Sequence, residues 1–269
     1  MRPVIPLQNK ENFMKKKVLR FIVIYILSGL AFFALTMPFH KILAVFTVSE
    51  VRPSAVLYPF LGISFGLPAS LGILTANFIS DAVNGYSWAV LLEGIVPQFL
   101  YSMVPYFMWK YFTKGESHIH RLDSVKRVME FSLVCFVSAL LGGIGVGTIV
   151  QVNFGADGLL AGFFVFLNNF DISIILGCPL MIISNQIISR RNGTERTVTP
   201  NEKIIIAAAA VEAIALIVMI PVAYANGATL GTYDIWNSIY YYALMIINCI
   251  FALTLIVMII AENKRKKKA

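Results

Sequence analysis

All but two of the chain's 22 Lys and Arg residues fall into four clusters: the N-terminal stretch through Arg20, Lys110 to Arg127, Arg190 to Lys203, and Lys264 to Lys268. The exceptions are Lys41 and Arg52, and long apolar stretches separate the clusters. Charge is costly in hydrocarbon, and Lys and Arg flanking membrane spans stay on the cytoplasmic side. The spacing therefore predicts an all-α integral membrane protein of six to eight transmembrane helices. Both termini are expected in the cytoplasm and the protein in a plasma membrane. A mean hydropathy of +0.77, with 58% hydrophobic and 13% charged residues, agrees, being too apolar for a water-facing surface.

The net charge of +8 does not imply nucleic acid, because the basic residues are dispersed at span ends with no single aromatic-interleaved patch. Anionic lipids of the inner leaflet are the expected partner, at about 1 kcal/mol per basic residue near the surface. Cys135, Cys178 and Cys249 each sit in an apolar run, without a CxxC pair, so they read as packing residues. His40, His118 and His120 form no ligand cluster, and no cofactor or metal is expected. No nucleophile and base stand at a recognisable spacing, which argues against an enzyme. Asn192-Gly193-Thr194 matches a glycosylation sequon by chance in a basic inner loop.

The apolar runs predict spans over 18–37, 88–111, 128–150, 158–189, 204–225 and 236–261. They form a single membrane domain, 18–261, between a cytoplasmic segment (1–17) and a basic tail (262–269). Residues 54–84 are apolar but interrupted by Gly66-Leu67-Pro68. Residues 53–66 would reach only about 21 Å against a hydrocarbon core of about 30 Å. This segment is either two short spans or a re-entrant hairpin. Gly177-Cys178-Pro179 marks a second place where a helix tilts or breaks, and Trp88 and Trp109 are expected as interfacial anchors.

Polar residues inside such a chain need a partner, a cavity or a function. Asn77, Asp81 and Asn84 share one helical face, beside a stripe of Gly72, Ala76 and Ser80 that lets another helix approach. Asn77 and Asp81 either satisfy backbone freed at the Gly66 break or join Arg52, Glu93 and Gln98 in a cavity open to the outside. Asn168, Asn169 and Asp171 form a second group, whose Asp171 touches substrate, relays protons or pairs with another helix. Glu212 serves helix packing or a proton-coupled role. The run Gly142-Gly143-Ile144-Gly145-Val146-Gly147 follows no strand and has no Lys-Ser or Lys-Thr, so it reads as close packing, not a phosphate loop.

The run Val51-Arg52-Pro53-Ser54-Ala55, with Gly62, Phe65-Gly66, Gly72, Ala76-Asn77 and Asp81, resembles the N-terminal part of substrate-binding S components of energy-coupling factor vitamin importers. The resemblance implies capture of a small vitamin-like molecule from outside and docking onto a transmembrane coupling subunit driven by two ATPases. It also implies docking through small residues on the first helix, here Ser28, Gly29, Ala31 and Ala34. A second resemblance, on Pro53, Gly62, Gly72 to Asn77, Asp171, Gly177 and Pro179, is to eight-span membrane-associated sensor modules. Those would signal here through a partner chain. An ion-coupled carrier using Asp171 and Glu212 is the third reading.

Overall fold

The computed structural model describes residues 7–39, 44–46, 49–50, 52–114, 120–193, 196–225 and 235–267. His40, Lys41, His118 and Thr194 lie outside the described residues, as does the turn from Asn226 to Asp234. Among the described residues eight α-helices carry the fold: α1 (Leu7–Thr36), α2 (Leu57–Phe65), α3 (Leu67–Val83), α4 (Trp88–Phe112), α5 (Val125–Phe154), α6 (Gly158–Arg191), α7 (Pro200–Ala225) and α8 (Ile235–Lys266). Among the described residues the only strands are β1 (Ala44–Phe46) and β2 (Ser49–Glu50), a short antiparallel ribbon between α1 and α2. The helices overrun the expected spans at several ends. α1 takes in the basic residues ahead of Val18, and α8 runs on into the basic tail.

Five helices are long and apolar enough to cross a membrane: Phe13–Thr36, Trp88–Phe112, Val125–Phe154, Gly158–Arg191 and Ile246–Arg265, as searched among the described residues. Large apolar side chains such as Leu27, Ile144, Leu159 and Leu253 lie exposed on their outer faces. A girdle of this kind is solvated by lipid, where helices satisfy their own backbone polar groups.

The helices start and stop where local chemistry dictates. Ser87, Ser124 and Asp157 cap α4, α5 and α6 by accepting from the backbone N–H groups of Val90, Arg127 and Leu160. Thr199-Pro200-Asn201-Glu202 forms a capping box on α7: the Glu202 amide donates to Thr199 Oγ1 (3.2 Å) and the Thr199 amide to Glu202 Oε2 (2.8 Å). α2 and α3 meet at Gly66, whose φ of +62° and ψ of −134° suit glycine alone. The carbonyl there accepts from the amide of Ser70 (3.0 Å) and from its hydroxyl (3.2 Å). Ser70, and not Asn77 or Asp81, is therefore the polar residue serving the break.

α2 and α3 form an apolar hairpin of two helices, each shorter than the full spans around it. Its open end carries Arg52 against Asn77 and Asp81, and its tip reaches Ser64, which meets His120 beyond α4. Buried His120 also meets Ser184 of α6 (2.7 Å), so it ties the tip to the main bundle. α6 does not break: it runs as one helix through Pro179, with Gly177 packed on the Phe131 ring.

Small residues set the helix spacing. A methyl on Gly72 would strike the Tyr25 carbonyl of α1, one on Gly62 the Ser102 carbonyl of α4, and ones on Gly143 and Gly147 the Gly162 and Gly158 carbonyls of α6. Between helices in lipid, dispersion at such close approach replaces the hydrophobic effect as the main attraction. Trp109 departs from its expected interfacial place. It is buried, edge-on to Phe131 at 6.1 Å, because α4 turns that face toward α5; of the two expected anchors Trp88 alone is exposed.

Residues of three of the basic clusters meet at one end. Arg127 donates to the Phe112 carbonyl, Arg196 pairs with Asp123 (3.4 Å) and Glu202 (3.0 Å), Asn201 donates to the Asp123 carbonyl, and Arg265 donates to Asn201. These contacts tie the end of α4, the starts of α5 and α7 and the end of α8 together. Thr36 bonded to Ser54 (2.8 Å) places the other end of α1 at the opposite pole.

Candidate functional site

That opposite pole holds a cavity of about 110 Å³, reached by Arg52 from the turn before α2, Asp81 from α3, Gln98 from α4 and Asn169 from α6. The polar rim is linked through Asn77. Arg52 donates to Asn77 Oδ1 (3.4 Å), Asn77 Nδ2 donates to Asp81 Oδ2 (2.7 Å), and Arg52 stands 3.8 Å from Asp81 Oδ1. The Arg52 and Asp81 side chains keep about a fifth of their surface exposed, so the pair is wet at the cavity mouth. Asn77 is buried behind them and holds both in place.

The floor is aromatic. Tyr58 and Tyr101 stack at 4.0 Å with planes 17° apart, and Phe32 meets Tyr58 edge-on at 5.2 Å. A buried tyrosine hydroxyl needs a partner. Tyr58 donates to Gln98 Oε1, and Tyr101 to the Ala55 carbonyl (3.4 Å). On α4, Val90, Gly94, Gln98 and Tyr101 follow helical spacing along one face, and on α5 so do Gly142, Val146, Ile149 and Val150. Gly94 has open space where a Cβ would sit, which keeps the cavity hollow on that side. The arrangement places a cation, a carboxylate and two amides beside a pair of stacked tyrosines.

The residues expected to line one outer cavity thus divide. Arg52, Asp81, Gln98 and Asn169 line it, with Asn77 directly behind. Glu93 does not: it is exposed on the next face of α4 and accepts from Asn153 Nδ2 (2.6 Å). Asn168 is buried in α6 off the cavity. Asp171 faces the other way, accepting from Asn248 Nδ2 of α8 at 3.0 Å. Of the expected docking residues, Ser28 is buried, Gly29 lies against the Gly72 carbonyl, and Ala31 and Ala34 are exposed. Phe32, Tyr58 and Tyr101 were not anticipated. The signal was there, since tyrosines inside apolar helices require hydroxyl partners, and Gln98 lies one turn from Tyr101.

Among the described residues no three His, Cys, Asp or Glu side chains come together as metal ligands. Fold and site together define a predominantly helical chain with membrane-length apolar helices enclosing a small polar and aromatic cavity near one pole. Compared with protein-family models, curated proteins and solved structures, the chain matches none.

Proposed function

We propose that this chain is a membrane-embedded capture protein for a small solute, acting as the substrate-binding subunit of an energy-coupling factor type importer in a bacterial plasma membrane. The basic pole is cytoplasmic with both termini, and the cavity opens outward. The observation that carries the reading is the convergence of Arg52, Asp81, Gln98 and Asn169, from four separate elements, on one cavity floored by Tyr58 and Tyr101. Side chains merely satisfying one another within a bundle would leave no hollow between them. Arg52 recognises an acidic or carbonyl group, Asp81 a donor, and the tyrosines a flat ring. The sequence resemblance over residues 51–81 supports the same reading, and exposed Ala31 and Ala34 offer α1 to a coupling subunit.

The test is mass spectrometry of small molecules released from the purified protein. A defined solute is expected, with much reduced retention in Arg52→Ala. Protein that retains nothing, or retention indifferent to Arg52, would remove the reading. The sensor reading is favoured by the count of eight helices. Co-purification with a kinase or phosphatase instead of a coupling subunit and ATPases would select it.

A further inference from the structure

A second polar locus lies away from the cavity, in the seam where α6, α7 and α8 meet. Glu212 of α7 is 1% exposed and its Oε1 has no hydrogen-bond partner. It lines a void of about 10 Å³ together with Cys178 and Ile174 of α6 and Phe251 and Thr254 of α8. That is roughly the space of one water molecule. One turn from Ile174 on α6, Asp171 is 3% exposed; Asn248 satisfies its Oδ1, while Oδ2 has no partner.

No positive charge answers these acids. α6 carries no Lys or Arg before Arg190, α7 none between Lys203 and its end, and α8 none before Lys264. The groups facing Glu212 are Cys178 on α6 and Thr254 on α8, with Asp171 and Asn248 about two turns further along the seam; only Asp171 and Cys178 of these titrate. Glu212 lies 12 residues into α7 from Pro200, about 18 Å from the basic pole and near mid-helix.

We propose that Glu212 is a proton-exchange site, with Asp171, held by Asn248, as the neighbouring acid that tunes it. A metal cation requires a shell of oxygen ligands. Among the described residues lining the void, the side-chain oxygens are those of Glu212 and Thr254 alone, fewer than such a shell needs. A proton needs one oxygen. When Glu212 loses its proton, an uncompensated anion is left in an apolar seam, and the seam admits water or loosens. Proton release is thereby coupled to the fit of α7 against α6 and α8. The site is independent of solute capture at the opposite pole.

Infrared difference spectroscopy of the full chain in lipid nanodiscs, between about pH 5 and pH 9 where a site working near neutrality must titrate, tests this. A protonated-carboxyl carbonyl band is expected that fades as pH rises, is missing in Glu212→Gln, and moves along the pH axis in Asp171→Asn. Peptide mapping after carbodiimide treatment of the unmutated chain gives the same answer without a variant: Glu212 is modified, less as pH rises. A band insensitive to pH, one that survives Glu212→Gln, no modification of Glu212, or displacement of the proton by added sodium at fixed pH would each overturn the assignment.

Discussion

Replacing Gly72 by Ala tests whether close helix approach holds the cavity together. The new methyl would overlap the Tyr25 carbonyl oxygen and stand 3.1 Å from the Gly29 amide nitrogen. Both are backbone atoms of α1, so no side-chain rotation relieves the clash, and α1 must retreat by roughly 1 Å, enough to forfeit about a quarter to a half of each dispersion contact. The retreat strains the Tyr25–Thr75 bond (2.9 Å), the Thr36–Ser54 bond and the Phe32 edge contact with Tyr58. Overpacking of about 1–3 kcal/mol plus one hydrogen bond of about 1 kcal/mol gives a loss of about 2–4 kcal/mol.

The control is Gly94→Ala, also within a helix, where the methyl meets nothing within 4 Å. Both variants gain the same helix propensity of about 1 kcal/mol, so their difference isolates the clash. Equilibrium unfolding in mixed micelles reads that difference. If Gly72→Ala and Gly94→Ala unfold within about 0.5 kcal/mol of each other, the account of α1–α3 packing is wrong.

Other outcomes follow from single contacts. Arg52→Ala and Asp81→Asn are each expected to weaken retention of the captured solute about tenfold, or about 1.4 kcal/mol, with the double variant little worse than either; additive losses in a binding titration would show that the two act separately. Trp109→Ala should cost about 3–5 kcal/mol in the same unfolding assay and Trp88→Ala under about 0.5 kcal/mol, an ordering that interfacial anchoring by both would not produce. Asn248→Ala leaves Asp171 Oδ1 without that donor and should destabilise by about 1–3 kcal/mol, partly recovered when Asp171 is also replaced by Ala. Loss of the α7 capping box in Thr199→Ala should cost about 1 kcal/mol, and no change in unfolding would discount the box.

Several local features could be read directly from residue order. The Gly66-Leu67-Pro68 interruption became the α2–α3 turn because only glycine accepts that backbone and proline cannot continue the preceding helix. Gly72 met α1, and the glycine run of α5 divided, Gly143 and Gly147 meeting α6 and Gly142 and Gly145 meeting Tyr101 and Pro97 of α4, because small residues let helix backbones approach closely. Asn169 and Asp171 show where grouping by proximity failed. Residues two apart on a helix point about 200° from one another, so one faces the cavity and the other α8. Glu93 fails beside Gly94 for the same kind of reason, since one residue turns the helix by about 100°.

The sequence by itself determined the helical class, the membrane-length apolar elements and the separation of basic from apolar segments, since each follows from composition and spacing along one helix. Only the tertiary structure decided which faces meet. It buried Trp109, hollowed a cavity beside Gly94, stacked Tyr58 on Tyr101 and brought Glu212 to a seam with α6 and α8. Those outcomes depend on the rotation of each helix about its axis, which is set by its neighbours and not by its own pattern, because lipid solvates an apolar face as readily as another helix does.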